Sequence, residues 1–168
     1  MKTLRETLVL GPDEGRALFV GRGLGVRYMV EGLETSGALA LVEHPVAPKY
    51  LAAPLHVHHR EDEISYVLEG EIGAQIGDRV LRAPAGTLVF KPRDVWHTFW
   101  NPGDTPARIL EIITPAGFEK YFEEVMNYFP ENGPPDVAGL KALCRRYDFE
   151  MDVESVPGLL QKYGLSDV

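Results

Sequence analysis

From Thr3 to about Ile113 the chain is written in short apolar runs separated by Gly, Pro, Asn and Asp, and this punctuation constrains the fold most. ALFV, VRYMV, ALALVE, ISYVLEG, GTLVF and RILEII all read as strands. Turn signals recur every roughly 8 to 12 residues, which points to a sandwich or barrel instead of βαβ units. Glu69-Gly70-Glu71 and Ile76-Gly77-Asp78 read as tight reversals of an antiparallel meander. Pro45, Pro48 and Pro54 make a stiff, irregular approach to the strand that follows. No internal repeat and no low-complexity tract is present.

After Thr114 the period changes. Phe118, Tyr121, Phe122, Val125, Met126 and Phe129 recur at three and four, one apolar stripe of a helix, with Thr114-Pro115 as its expected start. A second helix is expected after Pro134-Pro135-Asp136, with Leu140, Leu143, Cys144 and Tyr147 on its buried side. A third is expected from Ser155 to Tyr163, stopped by Gly164. Each stripe needs a partner surface, so the helices are expected against the outside of the β domain. The chain thus reads as a β-barrel over 1–113 and a helical C-terminal extension over 114–168 packed on it.

A chain of 168 residues with 45% hydrophobic residues is about one domain long and can bury a real core. Asp and Glu number 25 against 17 Lys and Arg, a net charge of -8, which argues against nucleic acid or an anionic membrane surface as partner. A single cysteine, Cys144, excludes an internal disulfide framework and fits a reducing compartment. No apolar run approaches the roughly 18 residues that a membrane span requires. The start MKTLRETLVLGPDEG is a poor signal peptide, because Arg5 and Glu6 interrupt it. These features predict a cytoplasmic protein.

The chemistry sits in PLHVHHREDEISYVLEGE and GTLVFKPRDVWHTFWN. His56 and His58 are two apart, so on a strand both imidazoles project from one face. Glu63 follows after a gap long enough to turn a corner, and His97 arrives from a separate strand. Three neutral imidazoles and one carboxylate suit iron, manganese, nickel, copper or zinc. Alternation from Glu63 carries Ser65 and Val67 to the same interior, and from His97 carries Phe99. By the same alternation His59 points away. His44, before a proline, reads as structural loop, and Cys144 as buried core. Glu61 and Asp62 read as a solvated acidic run. Tyr28, Tyr50, Phe90 and Phe99 are read as cavity lining or plain core. Trp96 and Trp100, facing opposite ways beside His97, are expected under the C-terminal helices or in a dimer contact. Gly21, Gly23 and Gly25 read as turn glycines, not a phosphate cradle, because no helix follows.

His56-x-His58, four residues, Glu63, six residues, Gly70 resembles the first cupin motif. Gly86, five residues, Pro92-x-Asp94, two residues, His97, three residues, Asn101 resembles the second. Two positions depart from the family's pattern: Tyr50 and Asp94 stand where glycines are usual, and Asp tolerates the left-handed turn better than most. The resemblance implies an all-β fold with added helices, a jelly-roll-like barrel with core motifs in 50–101 and a helical C-terminal cap. It also implies one divalent metal held by His56, His58, Glu63 and His97, with Fe(II), Mn or Ni foremost and Zn or Cu next.

Small cupins with this spacing look like quercetinase-type dioxygenases, in which Glu63 would take a substrate proton while the histidines anchor the metal. An apolar cavity would raise the basicity of Glu63 for that task. The alternatives are isomerase, decarboxylase or lyase chemistry on a small carboxylate, anchored by Arg27, Arg93 or Arg108, and a non-catalytic binding cupin. A homodimer is expected, because such barrels leave an apolar sheet face needing cover.

Overall fold

The computed structural model describes residues 7–128, 136–166 and 168 of the chain. In order the elements are β1 (Ala17–Val20), β2 (Leu24–Val30), α1 (Gly32–Thr35), β3 (Ala40–Val46), β4 (Leu55–His58), β5 (Asp62–Glu69), β6 (Glu71–Ile76) and β7 (Arg79–Pro84). They continue with β8 (Leu88–Lys91), β9 (His97–Trp100), β10 (Ala107–Thr114), α2 (Tyr121–Val125), α3 (Val137–Arg146), β11 (Phe149–Asp152) and α4 (Val156–Tyr163). The strands form two antiparallel sheets, β1-β2-β3-β10-β5-β8 and β11-β4-β9-β6-β7. Facing each other, they enclose the inward residues of every strand. On β10 alternation buries Ile109, Glu111 and Ile113, and on β5 it buries Glu63, Ser65 and Val67, so period 2 sets the core as expected.

The two glycine reversals differ. Gly77 (φ 56) joins β6 to β7 in a true hairpin, with Ile76 opposite Arg79. Gly70 (φ 72) does not make a hairpin: β5 and β6 lie in different sheets, so the chain turns a corner between them. Close approach explains this glycine too, because a Cβ there would lie 3.1 Å from Ala107. Among the turn glycines of GRGLG, Gly23 packs on the Tyr50 ring and Gly25 on Pro45, which leaves the phosphate idea without support.

The C-terminal segment closes the barrel in three ways. Phe118, Tyr121, Phe122 and Val125 enter one open end and merge with Val26, Val42 and Ile113 of the barrel interior. They are therefore not on the outside, where the stripe was expected. This helical stretch starts at Phe118, after a cis Thr114–Pro115 peptide, so Thr114 ends a strand and does not cap a helix. Phe129, Pro134 and Pro135 lie outside the described residues. α3 runs as expected, with Asp136 accepting a hydrogen bond from the Gly139 backbone N–H and with Leu140, Leu143 and Cys144 buried.

β11 was not foreseen. It adds a strand to the edge of β4, placing Phe149 opposite His58 and Met151 opposite His56. α4 does lie on the outside, stopped by Gly164 (φ 64), where the Tyr163 ring stacks 3.8 Å from the Trp100 indole. Trp96 is 37% exposed. No helix among the described residues is long and apolar enough to cross a membrane.

Candidate metal centre

The four predicted ligands meet. His56 and His58 come from β4, His97 from β9 directly opposite His56, and Glu63 from β5 in the other sheet. All four side chains are buried, and one ligand atom from each lies within 4.8 Å of every other. The centre therefore bridges the two sheets.

Hydrogen bonds set the tautomers. His56 Nδ1 donates to the Pro54 carbonyl at 2.8 Å, and His97 Nδ1 donates to the Val95 carbonyl at 2.9 Å. A carbonyl only accepts, so both rings carry their proton on Nδ1 and turn an Nε2 lone pair inward. His97 Nε2 then faces Glu63 Oε2 at 3.2 Å, and His58 Nε2 lies 3.4 Å from Glu63 Oε1. Lone pairs and carboxylate oxygens gathered this closely call for a cation among them. The donor set fits a divalent metal.

Burial keeps the His56 and His58 rings neutral, as metal ligation needs. It holds His56 well below the usual histidine range, helped by His97 and His58, and brings His58 down to about 4. For Glu63 burial alone would push the carboxyl up, but the Lys91 ammonium beside it overrides this and holds it well below the usual range. The expected rise in Glu63 basicity is thus overturned, because a buried lysine stands beside it.

Lys91 is the residue that the sequence reading missed. It is 1% exposed, sits opposite Glu63 on β8, and its Nζ lies 2.9 Å from both Glu63 Oε2 and Glu111 Oε2. Ser65 Oγ donates to Glu111 Oε2 at 2.7 Å. Burial raises Glu111 to about 7. Burial would lower Lys91, but the two carboxylates reverse this and raise it.

Glu61 also departs from expectation. It is not solvated but 2% exposed, with Oε2 lying 3.8 Å from His58 Nδ1, and both atoms lack a hydrogen-bond partner. His59 does point away, and bonds Asp94 at 2.7 Å and Glu150 at 2.9 Å. Asp94 adopts φ 61, so the aspartate holds the left-handed turn.

A cavity of about 410 Å³ opens beside the centre, lined by His56, His58 and Glu63 and otherwise mainly by apolar side chains. Phe118 and Phe149 stand at 4.2 and 4.9 Å from the His58 ring. Tyr50 and Phe99 line this space, whereas Tyr28 is core under α2. Phe90 does neither: it is 51% exposed on the outer face of β8. His44 is not loop but part of β3, and its ring lines the cavity.

None of the three arginines reaches the cavity. Arg27 pairs with Glu43 at 2.6 Å, Arg93 with Asp62, and Arg108 with Glu43 and Glu69.

The model of the Cupin domain family matches residues 43–113, the stretch that holds all four candidate ligands, Lys91 and Glu111. Residues 43–113 are a cupin domain. A comparison with curated proteins finds no match. Among solved structures, KdgF from Halomonas sp. superposes with a TM-score of 0.60 at 16% identity over 67% of this chain and 96% of that one. A predicted oxalate decarboxylase from Thermotoga maritima gives 0.60 at 19% identity, over 64% of this chain and 99% of that one. The FeII form of HppE gives 0.56 at 23% identity, over 66% and 62%. At these identities the likeness shows the cupin barrel and leaves its chemistry to the site. Neither β11 nor α4 falls within the cupin match.

Proposed function

We propose that the protein is a mononuclear, metal-dependent oxygenase of the dioxygenase type. Its substrate is a small, uncharged, largely apolar molecule with an enol, diketone or phenolic oxygen. One observation carries this reading: the imidazole–carboxylate cluster opens onto an apolar cavity whose lining includes no lysine or arginine among the described residues.

A small carboxylate or phosphate would enter that cavity beside Glu63 and Glu111 with no side-chain cation free to pair with it, because Lys91 is already shared by both and only the metal would be left to face it. That weighs against the isomerase and decarboxylase alternatives.

A divalent metal bound there supplies Lewis acidity to a substrate oxygen and, if redox-active, electrons for dioxygen. Fe(II), Mn or Ni fit this role best, with Zn or Cu next. The carbonyl-tethered rings of His56 and His97 stay fixed as anchors with His58. Glu63, on the cavity wall, is the catalytic residue that takes the substrate's hydroxyl proton, with Lys91 limiting its basicity. The apolar walls keep bulk water from the reacting atoms.

The test is oxygen uptake by protein loaded in turn with each metal and offered flavonols and β-diketones. Substrate loss matched by oxygen consumption, and absent under argon, is the expected result. Turnover unchanged under argon would move the assignment to non-oxidative chemistry, and binding without turnover would make this a carrier. Two copies pairing belongs to the same reading, supported by exposed Tyr66, Leu88 and Phe90 on adjacent strands β5 and β8. A monomeric mass by light scattering removes the dimer alone.

A further inference from the structure

We infer that His44 is a substrate-positioning residue whose Nε2 accepts a hydrogen bond from a phenolic or enolic hydroxyl of the bound molecule other than the one whose proton Glu63 takes. The inference deepens the oxygenase reading and rests on it for the identity of the cavity as the substrate site.

His44 lies on β3, in the sheet that faces the strand carrying His56 and His58, and lines the same cavity. It is 2% exposed and stands outside the His56, His58, Glu63 and His97 cluster. Its Nδ1 lies 2.8 Å from the Gly25 carbonyl, an atom that only accepts, so the proton sits on Nδ1. Nε2, at the far edge of the ring, is left as a lone pair for the cavity. Burial pushes the ring's pKa down to about 4, so a second proton is absent at neutral pH.

The rings packed against His44 offer that lone pair no donor. Phe122 packs edge-on to the ring at 5.2 Å, and Phe99 stands at 6.5 Å. A ligand carboxylate, phosphate or ketone would oppose it with further lone pairs. A hydroxyl supplies the missing donor. This narrows the enol, diketone and phenol candidates to those that keep a second O–H while bound.

A purely structural His44 would only tie β3 to β2 through Gly25, and two variants separate the roles. His44→Asn can keep the bond to Gly25 and lacks the far nitrogen, whereas His44→Gln reaches toward the Nε2 position with an oxygen acceptor. The probes are 2-naphthol and 2-methoxynaphthalene, titrated by fluorescence under argon into zinc-loaded and into metal-free protein. In the metal-free protein only side chains can read the hydroxyl. Wild type is expected to prefer 2-naphthol by roughly five- to tenfold, the worth of one hydrogen bond. The preference should fall to about one in His44→Asn and persist in His44→Gln. An undiminished preference in His44→Asn overturns the inference, as does wild type binding both probes equally or neither. Loss of oxygen uptake with the hydroxyl preference intact would count against the oxygenase reading and leave His44 in its role.

Discussion

Lys91 Nζ stands 2.9 Å from Glu63 Oε2, so the one carboxylate of the candidate metal set is fastened to an ammonium inside the barrel. The same Nζ reaches Glu111, making a buried trio with one positive charge and two acidic groups. Removing the cation leaves Glu63 and Glu111 buried without it. Lys91→Met should therefore destabilise the metal-free protein by roughly 3–5 kcal/mol in urea denaturation at neutral pH. Added metal should recover part of the loss, because it restores positive charge and binds only the folded chain. A variant as stable as its parent would show that the trio is not charged.

Stability of the metal-free protein should fall as pH drops from about 6.5 toward 4. His44 and His58 are held near 4 when folded and His56 well below its usual range, so the unfolded chain binds more protons across that window. Each net proton steepens the loss by roughly 1.4 kcal/mol per pH unit. Glu111 and Glu61 work the other way, since folded pKa values near 7 mean that their contributions are lost as pH rises toward neutrality. Three imidazoles against two carboxyls leave a smaller net decline in acid. Urea midpoints measured in chelator at several pH values check the sign, and a midpoint that climbs on acidification contradicts it. Metal affinity should fall over the same range as protons compete for the ligands.

Adjacent histidines should behave oppositely. His58→Ala removes a ligand, whereas His59→Ala breaks only a half-exposed contact with Asp94 and Glu150. Glu61→Ala should fall between them. Glu61 Oε2 and His58 Nδ1 are orphaned at 3.8 Å, and a small shift on metal binding would join them and orient the ring. Loss of such an outer partner costs roughly 10- to 100-fold in affinity. Competition titration with a zinc-sensitive dye should rank the losses His58→Ala, then Glu61→Ala, then His59→Ala near wild type. Equal losses at 58 and 59 would contradict the facing of β4.

Gly73→Ala should destabilise the fold. A Cβ at 73 would overlap the Trp100 indole, which is sandwiched beneath α4 against Tyr163. Overpacking of this kind costs roughly 1–3 kcal/mol. Thermal melting should show the loss, and faster proteolysis within 156–163 should accompany it. An unshifted melting temperature would mean that the indole can move aside.

Local chemistry wrote much of this molecule openly. Period 2 and glycine punctuation set the strands, and the His56, His58, Glu63 and His97 spacing set the candidate ligands. Lys91 and Glu111 were legible by the same alternation, from Val89 to Lys91 and from Ile109 to Glu111. Charge at those positions hid them, since a lone lysine or glutamate in a strand ordinarily faces water. Other features carry no local signal. Gly70 reads the same whether the chain turns back beside itself or crosses to the facing sheet. Residues 149–152 are too few to read as a strand before β4 is there to pair with them.

By itself, then, the sequence determined the β-barrel and which side chains converge within it, because both follow from spacing along the backbone. Only the tertiary structure decided the electrostatics and the cavity: that Glu63 is held by an ammonium, that Glu61 is buried, and that His44 looks inward. Those properties come from residues far apart in the chain, brought within a few ångströms by two sheets that close on each other and exclude water.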